Sequence, residues 1–245
     1  MSYQINLEGK VAVITGAAQG IGAAIVRKYV QAGAQTVVLD VCDVEAVQGF
    51  LSAMEEQGKR PLYYRCDISD ESKVKDVFGD IVKICGRIDI LVNNAGIVSD
   101  WDKSYAVNTK GVYYCSEAAK PCLKKVQGNI LILTSASVFS GGTGIPQYVS
   151  TKAGAYALTL FLAREYAKEG IRVNGIAPAV IMSKMLVTRF GSEEAVKEHY
   201  KTIMPLGRIG QPEDIANIAL FLSSEMAGYL CGEVLIADGG RMHIG

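Results

Sequence analysis

Three side chains in the middle of the sequence have the types and the spacing needed for proton transfer. Tyr148 and Lys152 are four residues apart, and Ser135 lies thirteen positions before Tyr148. If the segment from 146 to about 168 is helical, Tyr148 and Lys152 project from one face and bring an ammonium near a phenol. A free phenol titrates near ~10, and we expect Lys152, with a second positive group, to lower the pKa of Tyr148. An isolated pair with this spacing is usually a surface tyrosine and lysine, so the assignment depends on the rest of the chain.

The composition favours a small-molecule partner. The chain has 245 residues, of which 49% are hydrophobic, which suits one large α/β domain or two small ones. The 25 basic residues equal the 25 acidic ones, which argues against a nucleic-acid or membrane-surface partner. No apolar run reaches transmembrane length, and the first residues lack the features of a signal peptide. We therefore predict a cytoplasmic protein.

Cysteine and histidine give no support for a metal site. The six cysteines are scattered, with no C-x-x-C pair, and we interpret them as reduced thiols. Both histidines, His199 and His243, come late in the chain. A Ser-His-Asp triad is therefore not well supported either.

A dinucleotide-binding unit is predicted at the start of the chain. A β-branched run at 10–15 leads into a glycine-rich turn, a helix over 23–32 and a second strand over 35–40 that ends in a carboxylate. Glycines let a backbone turn tightly and approach a pyrophosphate, whose charge a helix N-terminus stabilises. The candidate cofactor-binding residues of this turn are Gly16, Gln19, Gly20, Ile21 and Gly22.

Asp40 is the residue that selects the cofactor. A carboxylate at the end of the second strand accepts hydrogen bonds from ribose hydroxyls and repels a 2′-phosphate. Neither the glycine turn nor the positions just after Asp40 carry an Arg or Lys that would offset this repulsion. The sequence therefore predicts NAD rather than NADP.

The alternation of strands and helices continues to the end of the chain. Further strands are predicted at 61–67, 88–93, 129–134, 171–176 and 233–237, and helices at 44–57, 69–85, 105–123, 149–169 and 212–223. We predict an α/β fold, a doubly wound parallel seven-stranded sheet (Rossmann fold) in a single domain over 1–245. Ligands bind beyond the strand C-termini of such sheets, where Asp40, Asp67, Asn93, Ser135 and Pro178 fall.

These motifs resemble those of the short-chain dehydrogenase/reductase family over essentially the whole chain. Six of them occur in the family's order: Thr15-Gly16-x-x-x-Gly20-Ile21-Gly22, Asn93-Asn94-Ala95-Gly96, Val107-Asn108-x-x-Gly111, Ser135, Tyr148-x-x-x-Lys152 and Asp238-Gly239-Gly240. The resemblance implies a catalytic tetrad of Asn108, Ser135, Tyr148 and Lys152. It also implies cofactor contacts, besides those of the glycine turn and Asp40, from Asp67, Ile68, Asn94, Ala95, Gly96, Tyr148, Lys152, Pro178, Ile181 and Ser183.

The expected chemistry is the interconversion of an alcohol and a ketone. Oxidising an alcohol removes a proton from oxygen and a hydride from carbon, so a base is needed near the nicotinamide. Tyr148 is the proposed base, and Lys152 would favour its phenolate and hold the nicotinamide ribose. Ser135 would hydrogen-bond the substrate oxygen. The resemblance suggests that Asn108 acts through its backbone, interrupting helix bonding to hold a water.

Two segments depart from the family pattern. Only four residues separate Gly96 from Trp101, and Asn108 comes markedly earlier than usual, so either the loop is trimmed or residues are missing from the sequence. Ala179 and Ser183 stand where the family prefers Gly and Thr. Ser183 keeps a hydroxyl for the nicotinamide carboxamide.

The sequence leaves the substrate open. An excursion at about 182–206 supplies an apolar lid over the substrate or, equally well, ordinary core contacts. We expect a NAD-dependent oxidoreductase acting on a secondary alcohol or ketone of the polyol, cyclic alcohol or hydroxysteroid type. The alternative is a 3-oxoacyl-[acyl-carrier-protein] reductase, which in this family usually uses NADPH and would want a basic docking patch. A non-catalytic dinucleotide-binding regulatory protein is a third possibility.

The long helix that carries Tyr148 also predicts self-association. Its apolar residues over 153–163 cover more than one face, so one face can pack inside the subunit and another against a second copy. Members of the family commonly form dimers or tetramers through the helices that contain Asn108 and Tyr148. We therefore expect a homo-oligomer.

Overall fold

The computed structural model describes residues 5–142, 144–242 and 244. Within them, one parallel sheet contains the strands β1 (Val11–Thr15), β2 (Gln35–Asp40), β3 (Leu62–Arg65), β4 (Ile90–Asn93), β5 (Asn129–Leu133), β6 (Arg172–Pro178) and β7 (Val234–Ala237). Their order across the sheet is β3-β2-β1-β4-β5-β6-β7. The predicted doubly wound seven-stranded sheet is confirmed.

Helices cover both faces of the sheet. They are α1 (Gly20–Gln31), α2 (Val44–Glu56), α3 (Glu71–Cys85), α4 (Trp101–Tyr105), α5 (Val112–Val126), α6 (Ser137–Ser140), α7 (Pro146–Tyr166), α8 (Lys184–Phe190), α9 (Glu193–Lys201) and α10 (Pro212–Ser223). A π-helical turn over Ala106–Gly111 joins α4 to α5, and 3₁₀ turns lie at Ala167–Glu169 and Glu225–Ala227.

The apolar strands divide the core into two layers. Successive strand residues point to opposite faces, so Val11 and Val13 lie in one cluster and Ala12 and Ile14 in the other. The first cluster packs against α3, α5 and α7, and the second against α1 and α10. Burial on both sides explains why these strands are continuously apolar.

Several boundaries differ from the sequence prediction. α1 begins at Gly20 rather than Ala23, because the first helical hydrogen bond joins the N–H of Ala23 to the carbonyl of Gln19. β3 covers only Leu62–Arg65 of the predicted 61–67. The predicted helix over 105–123 is interrupted by the π-helical turn. α7 begins at Pro146, where a proline at the first position fits a helix start.

Parallel strands place their carboxyl ends at one edge of the sheet. β1 and β4 are neighbours in the sheet although β2 and β3 lie between them in sequence, so the order in which strands are added reverses between β1 and β4. A crevice forms at such a switch point, outside the strand ends. The glycine turn after β1 and the loop after β4 meet there.

Candidate active site

The glycine turn after β1 packs directly against the loop after β4. Gly16 has a φ of +61°, and a Cβ there would lie 2.6 Å from the Cα of Ala95. A Cβ at Gly22 would lie 2.6 Å from Nδ2 of Asn94. Gly20 has a φ of +57°, with nothing within 4 Å of a Cβ position. The first two glycines are required by close approach, and Gly20 by a left-handed backbone beside open space.

The start of α1 has the properties of an anion site. Gln19 is its N-cap residue, but the Gln19 side chain makes no capping hydrogen bond, and the first turn contains no acidic residue. Ile21 packs on the core beneath. The free N–H groups of the first turn, together with the open space at Gly20, fit the pyrophosphate of a dinucleotide.

Thr15 and Asn94 hold the two loops together. The Thr15 hydroxyl accepts hydrogen bonds from the backbone N–H groups of Asn94 and Ala95, both at 3.1 Å. The Asn94 amide donates to the carbonyls of Thr15 and Gly16 at 2.9 and 2.8 Å. Gly96 has no room for a side chain, since a Cβ would lie 2.8 Å from Nζ of Lys152. This loop therefore joins the glycine turn to Lys152.

Asp40 lies where the sequence predicts it, at the end of β2 and beside the glycine turn. Its carboxylate accepts hydrogen bonds from the N–H of Ala18 at 2.9 Å and of Val41 at 2.8 Å. Arg65, at the end of the neighbouring β3, donates to the carbonyl of Val41 and forms a 2.7 Å ion pair with Asp43. Arg65 thus brings a positive charge to the same strand ends as Asp40. The sequence did not predict this proximity, because α2 separates β2 from β3 along the chain.

Asp67 and Ile68 follow β3 and contribute in different ways. The Asp67 carboxylate is exposed and accepts two hydrogen bonds from Ser69, one from its N–H and one from its hydroxyl. Ile68 is buried, and its side chain fills the space above Gly111, where a Cβ would lie 2.7 Å from Cδ1 of Ile68. Only the backbone of Ile68 is available to a ligand.

Tyr148 and Ser135 line one cavity of about 450 Å³ at the carboxyl edge of the sheet. Ser135 lies two residues after the end of β5, and Tyr148 lies in the first turn of α7. The hydroxyl of Ser135 accepts hydrogen bonds from the hydroxyl of Ser137 at 2.8 Å and from its N–H at 3.2 Å. Because the Ser135 hydroxyl accepts both of these hydrogen bonds, it can still donate its own O–H to another group. Ser137 is a contact that the sequence analysis did not identify.

Lys152 is buried between the cofactor crevice and Tyr148. Its ammonium donates a 2.8 Å hydrogen bond to the carbonyl of Leu133 and lies 6.0 Å from the centre of the Tyr148 ring. The helical spacing of Tyr148 and Lys152 is thus confirmed as an arrangement on α7. Burial lowers the pKa of Lys152 to about 8.

In the chain without a cofactor, burial outweighs any effect of Lys152 on the pKa of Tyr148, and the expected lowering by Lys152 together with a second positive group stays a prediction. Burial raises the pKa of the Tyr148 phenol, and the hydrogen bond with Ser135 offsets only part of the increase. The physical reason is that desolvation disfavours the phenolate, while Lys152 points at a backbone carbonyl. Tyr148 is therefore a proton donor in the chain by itself.

Asn108 lies at the centre of the π-helical turn and is fully buried. Its side-chain oxygen accepts from the N–H of Ile97 at 2.8 Å, and its amide donates to the Ile97 carbonyl at 2.9 Å and to the Thr151 hydroxyl at 3.0 Å. The side chain therefore fixes the short loop against α7, and the turn changes the helical bonding around its backbone.

The segment after β6 carries three further predicted residues. The carbonyl of Pro178 accepts a hydrogen bond from the N–H of Ala136, which ties β6 to the Ser135 loop. Ile181 forms an isolated parallel bridge with Gly210 and covers it. Ser183 caps α8, and its hydroxyl accepts from the N–H of Leu186 at 3.4 Å.

The excursion over 182–206 folds mainly on itself. Met182 and Met204 are buried, and Leu186, Val187 and Phe190 pack on a small cluster centred on Met182, Val196 and Ile209. Met185 is exposed. None of the described residues in 182–206 lines the cavity at Tyr148. These contacts favour the core-packing alternative over a lid.

The loop after Gly96 is short and well bonded. Asp100 caps α4 by accepting from the N–H of Lys103 at 2.8 Å. The N–H of Ser99 donates to Ser104, and the Gln147 side chain donates to the Ser99 carbonyl at 3.0 Å. These hydrogen bonds connect the loop to α4 and to the first turn of α7.

Two negative results concern the described residues only. None of the helices there combines the length and the apolar character needed to cross a membrane. No group of three His, Cys, Asp or Glu side chains in that part of the chain is arranged to hold a metal ion.

The fold and site define a dinucleotide-binding α/β protein with a tyrosine, serine and lysine beside the crevice. Residues 16–242 match the family model described as enoyl-(acyl carrier protein) reductase. An uncharacterized oxidoreductase of Bacillus subtilis is 36% identical, covering 97% of this chain and 92% of its own. A 3-oxoacyl-[acyl-carrier-protein] reductase of Aquifex aeolicus is 35% identical, with 97% and 99% covered.

Solved structures agree with these relatives. A short-chain type dehydrogenase/reductase from Mycobacterium marinum is 30% identical with a TM-score of 0.89, covering 97% of both chains. A structure described as a short-chain alcohol dehydrogenase from Sinorhizobium meliloti is 31% identical with a TM-score of 0.89, covering 97% of this chain and 98% of that one. The chain belongs to the short-chain dehydrogenase/reductase family and is an oxidoreductase of that family.

Proposed function

We propose that this protein interconverts a secondary alcohol and a ketone, with NAD as cofactor and Tyr148 as the acid and base. The observation that carries the proposal is the joint placement of Tyr148 and Ser135 in one cavity, with Lys152 beneath it. Polyols, cyclic alcohols and hydroxysteroids are the substrate types we expect. The bound nicotinamide supplies the hydride acceptor or donor.

The chain's own residues account for the proton. In reduction, the Tyr148 phenol donates a proton to the carbonyl oxygen while the Ser135 hydroxyl stabilises the developing charge on that oxygen. In oxidation, the Tyr148 phenolate takes the alcohol proton.

The cofactor assignment follows from groups around the glycine turn. We propose that Gly16, Gly20 and the start of α1 hold the pyrophosphate, and that Asp40 accepts from the adenosine ribose hydroxyls. The remaining cofactor contacts are those expected above, including Asp67, Asn94, Ala95, Gly96, Pro178 and Ser183. Arg65, the register partner of Asp40 on β3, is paired with Asp43, so an acid already matches its charge at this end of the sheet.

A second candidate is a 3-oxoacyl-[acyl-carrier-protein] reductase. The observation that favours it is the match to relatives with that name, among them the Aquifex aeolicus protein and one from Thermotoga maritima that is 35% identical. Its substrate carries a 3-oxoacyl thioester, and the same Tyr148 and Ser135 chemistry would apply to the ketone.

Absorbance of the reduced nicotinamide distinguishes these functions. We expect the wild-type chain to oxidise NADH with simple ketones faster than with an acetoacetyl thioester, and to prefer NADH over NADPH. Higher kcat/KM on the thioester with NADPH would favour the second candidate. Cofactor binding without turnover on either substrate class would instead indicate the regulatory alternative.

We further propose a cytoplasmic homo-oligomer that associates through α5 and α7. On α7, Ala155 and Leu162 are buried inside the subunit, whereas Leu160 and Phe161 are exposed on another face. Tyr113 on α5 is exposed as well. Light scattering should give a mass of at least two chains, and a monomer at micromolar concentration would contradict association.

A further inference from the structure

The cavity at Tyr148 has a charged wall that the family motifs do not include. Among its described lining residues, Arg241 is the single charged one; no Asp or Glu lines it. The other polar lining groups are the hydroxyls of Ser135, Ser137, Ser140 and Tyr148. A substrate in this cavity therefore lies within a wall that contains both Arg241 and the reacting hydroxyls.

The backbone that carries Arg241 is anchored to the end of β7. Asp238 is buried, and its carboxylate accepts from the N–H of Gly240 at 2.9 Å and of Met242 at 2.6 Å. The N–H of Arg241 donates to the Asp238 carbonyl at 3.4 Å. Asp238 thus holds the turn through backbone amides, and Arg241 lies exposed at the cavity wall with no side-chain hydrogen bond to a described residue.

Among the described residues, five arginines form ion pairs with carboxylates, whereas Arg241, like Arg164, Arg172 and Arg189, forms none. Arg65, Arg87 and Arg208 form ion pairs with aspartates at 2.7, 2.5 and 2.7 Å. Within 5–142, 144–242 and 244, no carboxylate forms an ion pair with Arg241. Its charge is therefore not matched by a neighbouring acid in that part of the protein.

The position of Arg241 separates it from the cofactor phosphates. The glycine turn follows β1, whereas Arg241 follows β7, and β4, β5 and β6 lie between them in the sheet. Four strand spacings of about 4.8 Å amount to roughly 19 Å. Arg241 is thus on the substrate side of the crevice.

We propose that Arg241 binds an anionic group of the substrate, and that the substrate is a ketone or secondary alcohol that also carries a carboxylate. This inference rests on the proposed function. A guanidinium matches the two oxygens of a carboxylate with two parallel hydrogen bonds. A phosphate dianion would be left undercompensated by one cation, so the carboxylate is the better match.

The test compares ketones that differ only in this charge. The first comparison uses three keto acids, each with its amide: pyruvate, acetoacetate and 4-oxopentanoate. They vary the distance between ketone and carboxylate. The second comparison tests a phosphate group and uses dihydroxyacetone phosphate against dihydroxyacetone. The variants are Arg241→Met and Arg241→Lys, with Lys125→Met as a matched loss of one exposed positive charge at the far end of α5.

We expect at least one acid to exceed its amide in kcat/KM in the wild type. Arg241→Met should lower that ratio by about 10- to 100-fold, the value of a charge-assisted hydrogen bond. Arg241→Lys should retain part of the wild-type acid-to-amide ratio, and Lys125→Met should retain all of it. The amides should react at similar rates in all variants, because Arg241 does not touch the reacting groups.

Other outcomes are equally decisive. An acid-to-amide ratio that Arg241→Met leaves unchanged would overturn the inference, while turnover of the neutral ketones would still support the proposed function. If Arg241→Met lowers the kcat/KM ratio only for dihydroxyacetone phosphate over dihydroxyacetone, the inference that the substrate carries a carboxylate is overturned. If neither these ketones nor the polyol, cyclic and steroid ketones of the proposed function react, the proposed function fails. Tm is then measured for wild type and Arg241→Met with each acid and its amide. A rise caused by the acids alone that is lost in Arg241→Met would show that Arg241 binds the anion, and an equal rise in both proteins would overturn the inference.

Discussion

The two halves of the carboxyl edge of the sheet are built by different rules. Around β1 and β4, glycines and backbone amides form the surface, and added Cβ atoms would collide at 2.6 Å. Around β5, β6 and β7, the polar part of the surface consists of serine hydroxyls, one phenol and Arg241, contributed by distant segments and set among apolar side chains. The first half selects its ligand by the fixed shape of the backbone. The second half selects its ligand by the identity of individual side chains. Lys152 connects them.

The largest effect should come from the reacting group of the substrate half. Tyr148→Phe removes the proton donor, and we expect kcat to fall by about 10³-fold, within the range of general acid–base catalysis. NADH affinity should change little, since the cofactor half is untouched; fluorescence titration measures it. Tyr156→Phe on the same helix is the control and should keep full activity. Retained activity in Tyr148→Phe would remove this residue as the acid and base.

The cofactor half should fail through shape rather than chemistry. Gly16→Ala places a Cβ against Ala95 in a left-handed backbone, so we expect NADH affinity to fall by about 100-fold or more and Tm to drop. Gly79→Ala in α3 is the matched control: its Cβ position is open, and a helical Gly→Ala change stabilises by roughly 0.5–1 kcal/mol. Equal affinity in wild type and Gly16→Ala would show that the turn does not bind the cofactor.

A charge next to the cofactor half should control the choice of dinucleotide. Asp40→Ser removes the carboxylate that repels a 2′-phosphate, and we expect the NADH/NADPH ratio of kcat/KM to fall by about 10- to 100-fold. Arg65→Gln should move the ratio the other way by a smaller factor, because Arg65 is paired with Asp43. A wild-type preference for NADPH would contradict the role of Asp40 and assign the selection to Arg65.

Lys152, at the junction, should make stability depend on pH. Burial lowers its pKa from 10.5 to about 8, so the folded state releases this proton before the unfolded state does. Between about pH 8 and 10.5 the unfolded chain binds more protons, and the free energy of unfolding should therefore rise with pH, by up to about 3 kcal/mol. Urea titrations of wild type and Lys152→Met measure the free energy of unfolding at each pH. The same pH dependence in both proteins would show that the pKa of Lys152 is not lowered.

The smallest effect should come from a supporting hydroxyl in the substrate half. Ser137→Ala removes the 2.8 Å hydrogen bond from the Ser137 hydroxyl to the Ser135 hydroxyl, so the Ser135 side chain is held less firmly in its orientation. A neutral hydrogen bond contributes about 1 kcal/mol, so kcat should fall about fivefold with KM nearly unchanged. Ser140→Ala, in the same cavity but bonded elsewhere, should leave kcat alone. A change in KM only would indicate substrate contact instead of positioning.

The sequence alone determined the fold and most of the candidate site. Continuous apolar runs, glycine spacing and the position of acids at strand ends are local properties, so the seven strands, the turn at Gly16 and the location of Asp40 followed from them. The spacing of Tyr148 and Lys152 on one helix face followed for the same reason.

The tertiary structure decided what depends on neighbours distant in sequence. Desolvation raised the pKa of Tyr148 in the chain without a cofactor, Arg65 came beside Asp40 from another strand, and Ser137 and Arg241 entered the cavity. Burial and electrostatic contact depend on the whole surrounding shell of atoms, which no spacing in the chain specifies. The sequence thus fixes which groups are present, and packing fixes which of them face each other and in what charge state.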